Sequence, residues 1–279
     1  YSQMLLKPLP REFRSTSRLR FCFTCTVALV MWLISMILYS VAIRSSSFSY
    51  PGLSKCEGVK QETALRLASA LSGEFRIMRH VLSVLSERGT SCGGTFVELG
   101  ANDGRNSHSK FLEKHLGWRG YCIEAAPENF KSLQLNRPHC KNINAVIWHR
   151  PEHVIFRACT GKLYGHSGIV SSRTSEEWTN LLSHHGASSQ CRDYTIAANQ
   201  AIELIDTPVI DLFFLDVEGA ELKVLHTWQW DVLHVEMWAI ESNKLNRTLL
   251  VEYMVDHGYE CEHFDSINTF CKQVRSSLT

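Results

Sequence analysis

Acidic residues are almost absent from the first 44 residues, and charged residues of either sign are absent from Phe21 to Ile43. This N-terminal part holds one acid, Glu12, against six Lys and Arg, whereas residues 45–279 hold 23 Lys and Arg against 27 Asp and Glu. The larger part therefore has a net charge of −4 and no basic stripe, which argues against nucleic-acid binding. A helix over residues 21–43 would have no polar face, which argues against a surface helix of a soluble domain.

The uncharged run FCFTCTVALVMWLISMILYSVAI has the length of a membrane span. At 1.5 Å per residue it would form a helix about 35 Å long, enough for a hydrocarbon core about 30 Å thick. The alternative is a signal peptide cleaved near Ser40–Ala42, but signal-peptide hydrophobic regions are only about 7–15 residues long. Five basic residues precede the run and only Arg44 follows it closely. The positive-inside rule therefore predicts a cytoplasmic N-terminus and a lumenal or extracellular domain.

These features predict four parts of the chain. Residues 1–20 form a basic cytoplasmic tail, residues 21–43 a transmembrane signal anchor, and residues 44–59 a Ser-rich lumenal stem. Residues 60–279 form the folded domain. We therefore expect a single-pass type II membrane protein of the secretory pathway, in the endoplasmic reticulum, Golgi or endosome.

Cysteines at metal-binding spacing are missing from the folded domain. Cys-x-x-Cys occurs only at Cys22 and Cys25, inside the predicted span, where it would make a poor zinc site. Eight further cysteines lie on the predicted lumenal side, where an oxidising environment allows them to pair. The sequence does not determine which of these cysteines form disulfides with each other. Cys261 and Cys271 flank a predicted hairpin and are the first pair to test. The one glycosylation sequence, Asn246-Arg247-Thr248, is usable only if it is lumenal.

Strand-like and helix-like segments alternate along the folded domain. Apolar residues at helical spacing between Gln61 and Glu87 predict a leading helix. The apolar segments TFVEL, GYCIEA, INAVIW, IDLFFLDV and VEMWAIES then alternate with helices, and YECEHF and NTFCKQV predict a closing hairpin. This alternation predicts an α/β fold with a Rossmann-like, doubly wound and mostly parallel sheet.

The stretch FVELGANDGRN joins the first predicted strand to a helix through a Gly-containing turn. Ligands of such folds bind at this turn, off the carboxyl end of the strand. Gly100 and Gly104 permit a close backbone approach, and Asn102 tolerates the left-handed conformation better than most residues. The turn is therefore a predicted ligand site.

The negative charge of the acidic residues in this turn distinguishes between a dinucleotide and S-adenosylmethionine as its ligand. Glu98 and Asp103 would repel the pyrophosphate of a dinucleotide, so NAD is the weaker alternative. S-adenosylmethionine has an ammonium group and no phosphate, and it suits Glu98 better. Glu124 ends the second predicted strand, where an acid can accept both ribose hydroxyls. The acids on consecutive strands favour S-adenosylmethionine over an ordinary turn with solvated acids, which stays the alternative.

FVELGANDGRNSHSKFLEKHLGWRGYCIEAAPENFKSL and IDLFFLDVEGAELKVL resemble the FkbM-type S-adenosylmethionine-dependent methyltransferases. The resemblance covers roughly Thr95 to Phe264 and implies the strand order 3-2-1-4-5-7-6. It places Glu98, Gly100, Asn102 and Gly104 on the cofactor loop, with Asp103 beside them, and Glu124 at the ribose position. The membrane-anchored layout also resembles the Star-type proteins of animals, which are linked to trafficking of growth-factor precursors.

Asp216 and Glu218, in DVEGAE after the fourth predicted strand, are the candidate catalytic residues. At this edge of the sheet they could hold an acceptor hydroxyl or act as its base. In the alternative, Asp216 caps the next helix and Glu218 favours its positive end. A divalent cation on the pair is a further alternative, although we expect no metal site. His166 and Glu241 are weaker candidates for the same cleft.

The expected function is methyl transfer to an oxygen or nitrogen of a glycan, lipid or protein acceptor in the secretory pathway. The expected cofactor is S-adenosylmethionine. A non-catalytic, Star-like adaptor that uses the fold to bind secretory cargo is the alternative.

Overall fold

The computed structural model describes residues 76–87, 92–185 and 190–274. The predicted tail, membrane span and stem lie outside these residues. Residues 61–75 of the predicted leading helix also lie outside them. Among the described residues, no helix combines the length and the apolar character that a membrane crossing requires.

Thirteen strands and seven α-helices are found in the described ranges. The strands are β1 (Thr95–Leu99), β2 (Arg119–Ile123), β3 (Lys141–Ile143), β4 (Val146–Ile147), β5 (His153–Cys159), β6 (Gly168–Ile169), β7 (Cys191–Asn199), β8 (Val209–Ile210), β9 (Leu212–Leu215), β10 (His234–Val235), β11 (Met237–Glu241), β12 (Tyr259–His263) and β13 (Asn268–Gln273). The helices are α1 (Arg76–Glu87), α2 (Lys110–Leu116), α3 (Pro127–Asn136), α4 (Ser175–His185), α5 (Ala201–Leu204), α6 (Glu221–Leu225) and α7 (Arg247–Asp256). Two short 3₁₀ helices, Gly161–His166 and Val170–Ser172, flank β6.

Seven of the strands form the central sheet, in the order β12-β13-β11-β9-β1-β2-β3. Counted along the chain and read from β3, this is the order 3-2-1-4-5-7-6, so the predicted order is confirmed. The neighbours from β3 to β11 are parallel, whereas β13 is antiparallel to both β11 and β12. The mostly parallel α/β sheet is therefore confirmed.

Alternating side chains of the central strands build two cores, one on each face of the sheet. Val97 and Leu99 belong to the core on one face, whereas Phe96 belongs to the core on the other face. Helix α1 contributes six buried apolar residues to the Phe96 face, including Met78 and Leu82. Because a strand has a side-chain period of two, Glu98 lies on the same face as Phe96.

The predicted strand INAVIW is wrong as a single element. Residues Lys141–Ile143 pair with β2 in the central sheet, whereas Val146–Ile147 pair with β7 in a second sheet. The break falls at Asn144, whose side-chain amide donates to the main-chain oxygens of Glu124 (2.8 Å) and Ala125 (3.2 Å). This side chain fastens the chain to the loop after β2, and the next residues leave the central sheet.

The second sheet has four strands in the order β4-β7-β5-β6. Strands β5 and β7 are antiparallel, and their last pair in register is Cys159 with Cys191, which form a disulfide. A second disulfide joins Cys122 to Cys140. A third joins Cys261 to Cys271, opposite each other in the closing hairpin, as predicted.

Candidate functional site

A cleft opens where the carboxyl ends of β1, β2 and β9 face the second sheet. It contains about 680 Å³ of empty space, its open mouth included. Apolar side chains such as Ile123, Ala145 and Phe156 are among its lining residues. The predicted site residues that line the cleft are Gly100, Asn102, Glu124, Asp216 and Glu218. Glu98, Asp103 and Gly104 are not among its lining residues.

The turn after β1 has the backbone conformation that its sequence predicts. Gly100, Asn102 and Gly104 all have positive φ angles, of 93°, 53° and 74°. The amide of Gly100 donates to the main-chain oxygen of Ile123 at 3.0 Å, which ties the turn to the end of β2. The left-handed residues thus bring the turn against the end of the neighbouring strand, at the bottom of the cleft.

Glu124 is buried at the end of β2 and faces this turn. Its carboxylate accepts hydrogen bonds from the amides of Asn102 (2.8 Å) and Ala126 (2.7 Å). Burial raises the pKa of Glu124 to about 7, although these amides oppose the shift, and the charge of Asp103 adds to it. Glu124 therefore exchanges a proton near neutral pH and can accept hydrogen bonds from a ligand in its ionised form.

Asn102 carries an unused acceptor in the same part of the cleft. Its Oδ1 atom is buried and has no hydrogen-bond partner among the described residues. A buried polar atom without a partner costs about 1–3 kcal/mol, so a donor from a ligand would be stabilising here. Asn102 and Glu124 together offer two acceptors, which fits a ligand with hydroxyl and ammonium donors such as S-adenosylmethionine.

Glu98 does not offer its carboxylate to the cleft, contrary to the prediction that it receives the ligand's ammonium group. It is buried and accepts hydrogen bonds from the amide of His108 (2.8 Å) and from the hydroxyls of Ser107 and Ser109. Arg137 lies 3.4 Å from the same carboxylate. Glu98 therefore supports the turn from within the Phe96 face of the sheet.

Arg137 is the centre of this buried network and was missed by sequence reasoning. Its side chain is 1% exposed and contacts Glu113 at 2.5 Å in addition to Glu98. It also donates to Ser107 and, at 2.9 Å, to Ser109. A single Arg at the end of α3 has no sequence pattern that marks it as buried.

The remaining two predicted cofactor residues of the turn also have structural contacts. A Cβ atom on Gly104 would lie 2.7 Å from the Arg137 side chain, so Gly104 makes room for Arg137 and not for a ligand. Asp103 lies close enough to Tyr164 for its charge to act on the phenol. Burial, and then the Asp103 carboxylate, raise the pKa of Tyr164 to about 12.

Asp216 faces the cleft directly after β9. Burial raises its pKa well above the ordinary value, and the carboxylates of Glu241, Glu218 and Glu221 raise it further, whereas Lys244 lowers it. Asp216 does not cap the next helix, because the N-cap of α6 is Ala220 without a side-chain cap bond. A carboxylate with a raised pKa is a stronger base once it is ionised, so Asp216 keeps its candidate role.

Three carboxylates meet beside this position. Single oxygens of Asp216, Glu221 and Glu241 lie within 4.8 Å of one another, a spacing that could hold a cation. The Glu221 carboxylate, however, already accepts from the amides of Val217 and Gly219, at 3.0 and 3.0–3.1 Å. Lys244 contacts Glu241 at 3.2 Å and supplies a positive charge to the cluster.

Glu218 was predicted to act together with Asp216, but its pKa and its partners differ from those of Asp216. Its carboxylate binds Arg173 (2.8 Å), Lys244 and, more distantly, His166 Nδ1 (3.5 Å). Burial would raise the pKa of Glu218, but His166 and Lys244 outweigh burial and hold this pKa below its ordinary value. Glu218 is therefore a weaker base than Asp216, and its carboxylate is engaged with Arg173, Lys244 and His166.

Comparison with known proteins identifies the family. The family model described as the Methyltransferase FkbM domain matches residues 98–274, from β1 through β13. No curated protein matches the chain.

Several solved methyltransferase structures resemble the chain. The precorrin-6y C5,15-methyltransferase of Geobacter metallireducens is 15% identical, with 74% of this chain and 94% of that chain covered and a TM-score of 0.41. The METTL16 methyltransferase domain is 9% identical, with 84% and 92% covered and a TM-score of 0.41. A TehB-like methyltransferase of Corynebacterium glutamicum is 12% identical, with 72% and 98% covered and a TM-score of 0.32. Because these TM-scores are low, the assignment depends on the family match: the chain belongs to the FkbM methyltransferase family.

Proposed function

We propose that this protein is a membrane-anchored, S-adenosylmethionine-dependent methyltransferase that acts on an oxygen or nitrogen of a secretory-pathway acceptor. Membership of the FkbM family implies S-adenosylmethionine-dependent chemistry. The observation that carries the proposal is the buried, unpaired Oδ1 of Asn102, next to Glu124, in the turn after β1. The acceptor class, a glycan, lipid or protein, follows from the predicted location.

The residues at this end of the cleft would hold the cofactor. Gly100 allows the main chain to approach it, Glu124 would accept ribose hydroxyls, and Asn102 Oδ1 would accept a further donor. When bound, the cofactor supplies a methyl group activated by its sulfonium. Apolar lining residues such as Ile123 and Phe156 would help to exclude water from the reacting groups once the ligand is bound.

Asp216 is the candidate base for the acceptor. In its ionised form it can take the proton from the acceptor oxygen or nitrogen as that atom becomes a nucleophile. The neighbouring Lys244 stabilises this ionised form, since it lowers the pKa that the surrounding carboxylates raise. Methyl transfer is an in-line displacement, so the positioning of the acceptor beside Asp216 supplies much of the acceleration.

Titration calorimetry on the full chain in detergent tests cofactor binding. S-adenosylmethionine and its demethylated product should bind, and Asn102→Gly should weaken binding while it relieves the positive φ of this residue. Asn106→Gly is the matched control, because Asn106 is exposed in the same loop and does not line the cleft. If neither ligand binds at millimolar concentration, the adaptor for secretory cargo replaces the enzyme.

The lumenal location of the domain is a proposal from the sequence, motivated by the basic flank before Phe21. Protease protection in sealed microsomes tests it, since digestion without detergent would refute the topology. Asn246 offers a second test: its Oδ1 caps α7 by accepting from the amides of Thr248 and Leu249, and it is exposed. Asn246→Asp should keep the cap and abolish any glycan at this position.

A further inference from the structure

Residues Gly161–Arg173, here called the cover segment, pass over the cofactor cleft. They include the 3₁₀ helix Gly161–His166, strand β6 and the 3₁₀ helix Val170–Ser172. Tyr164, Gly165 and Ser167–Ile169 line the cleft from this side. Side chains of the loop after β9 and of helix α6 attach this segment to the rest of the domain.

The main attachment joins the cover segment to the loop after β9, through the ion pair of Arg173 with Glu218 at 2.8 Å. Lys223, from α6, adds a hydrogen bond to the main-chain oxygen of Ser171 at 3.0 Å. The cover segment is thus held by the loop after β9, which also carries Asp216, and by helix α6.

The ion pair with Arg173 is well shielded from solvent. The Arg173 side chain is 9% exposed and the Glu218 side chain 14% exposed. Arg173 also donates to the main-chain oxygen of His166 at 2.9 Å and stacks on the Trp178 ring at 4.6 Å. Loss of one partner of such a pair leaves a poorly solvated charge, so this contact holds the segment more firmly than a surface pair would.

The backbone of Glu218 is also consistent with a structural task for its side chain. Glu218 has a φ of 61°, a conformation that is unfavourable for any residue with a side chain other than Asn or Asp. Glycine would adopt it without strain, as the following Gly219 does at φ 99°. The left-handed conformation is compensated by what the side chain reaches, which is Arg173, Lys244 and His166.

We infer that Glu218 is a positioning residue, which acts through Arg173 to hold the cover segment, and with it Tyr164, across the cleft. Separation of this pair frees the edge of the segment next to Asp216 and opens the route for cofactor exchange. This inference goes beyond the proposed function, because the closed segment is a property of the protein without ligand. It gives Glu218 a task distinct from that of Asp216.

Glu241 provides a matched control for Glu218. Both carboxylates bind Lys244, and both raise the pKa of Asp216. Within the described part of the chain, however, Glu241 forms no ion pair or hydrogen bond with the cover segment; its partners there are Lys244 and Asn243. Removal of its charge changes the acidic cluster but leaves the pair of Glu218 with Arg173 in place.

Hydrogen–deuterium exchange of the full chain in detergent, without cofactor, tests the inference. Glu218→Gln should raise amide exchange in residues 161–173 by about tenfold, without a rise in β1 or β9, because local opening exposes only the released segment. Glu241→Gln should leave this exchange unchanged. Arg173→Met should match Glu218→Gln, and the double variant should add little to either, as expected for two halves of one contact.

Cofactor exchange gives the second readout. Glu218→Gln should raise the association and dissociation rates of S-adenosylhomocysteine together, with a Kd within about threefold of the wild type. Unchanged exchange in residues 161–173, or an equal rise in Glu241→Gln, would overturn the inference. If Glu218→Gln does not fold, Arg173→Met alone decides. If no cofactor binds, the proposed function fails while the exchange experiment still tests the cover segment.

Discussion

Gly100 and Asp216 are in backbone contact at the adjacent ends of β1 and β9: a Cβ atom on Gly100 would stand 1.8 Å from the main-chain oxygen of Asp216. The amide of Asp216 also donates to the main-chain oxygen of Leu99 at 3.1 Å. The turn after β1 and the loop that carries the candidate base Asp216 are therefore packed against each other. Gly100 is required by this contact, and not only by the space that a ligand needs.

Gly100→Ala should lower the melting temperature and abolish cofactor binding, because the added Cβ atom must displace the Asp216 loop. Gly219→Ala is the matched control: Gly219 has a similar positive φ of 99°, but a Cβ atom there would meet no atom within 4 Å. It should cost only the backbone strain, about 1–2 kcal/mol. Thermal unfolding and calorimetry on both variants make the comparison. Equal effects of the two variants would show that strain, and not the contact with Asp216, dominates.

Cofactor affinity should rise with pH through neutrality. Because burial raises the pKa of Glu124 to about 7, the free protein holds this group protonated below pH 7 and ionised above it. Ribose hydroxyls donate to the ionised form, so binding should tighten between pH 6 and pH 8 and release a proton. Calorimetry in buffers of different ionisation enthalpy measures both effects.

Glu124→Gln should flatten this pH dependence. It should also weaken binding about ten- to a hundredfold at pH 8, since a hydrogen bond to a charged group contributes about 1.5–3 kcal/mol. A variant that keeps the wild-type pH profile would assign the titration to another group.

Arg137→Met should destabilise the fold by about 3–5 kcal/mol, because it leaves the buried carboxylate of Glu98 without its cation. Lys131→Met is the control, since Lys131 pairs with Glu128 on the surface, where such pairs contribute at most about 1 kcal/mol. Chemical denaturation of both variants measures the difference. Similar small losses would mean that the serine hydroxyls alone satisfy Glu98.

Asp216→Asn should separate binding from chemistry. It keeps the shape of the side chain and removes its ability to take a proton, so cofactor Kd should stay within about threefold while methyl transfer falls about a hundredfold or more. Transfer of a labelled methyl group to an extract of secretory membranes measures the rate. Equal loss of cofactor affinity in Asp216→Asn and Glu124→Gln would contradict the assignment of these two residues to different tasks.

The fold could be predicted from local patterns because each central strand is a short apolar run that ends in a turn. TFVEL matches β1 residue for residue, and PENFKSLQLN matches α3. The failure at INAVIW has a local cause that apolarity does not reveal. The side chain of Asn144 binds carbonyl oxygens 19 and 20 residues earlier in the chain, and this contact diverts the strand.

The residues that line the cleft were predicted in part for the same reason. Gly100, Asn102 and Glu124 act through their own backbone and the adjacent strand ends, which a sequence pattern contains. Glu98 and Glu218 depend on partners far along the chain: Arg137 is 39 residues from Glu98, and Arg173 is 45 residues from Glu218. Acids that look alike in a sequence are thus assigned to ligand or to structure only by the cations that tertiary packing brings to them.

The Cys159–Cys191 disulfide makes residues 160–190 a covalently closed loop that includes the cover segment and α4. Because the two cysteines are paired in register at the ends of β5 and β7, the disulfide holds the entry and exit points of this loop together. Residues 160–190, which include the cover segment, could therefore be replaced as one unit, for instance in a chimera with a related enzyme. The strand that leads into the turn after β1 would not change. After a single proteolytic cut within residues 160–190, the disulfide would keep the two fragments joined until a reductant is added.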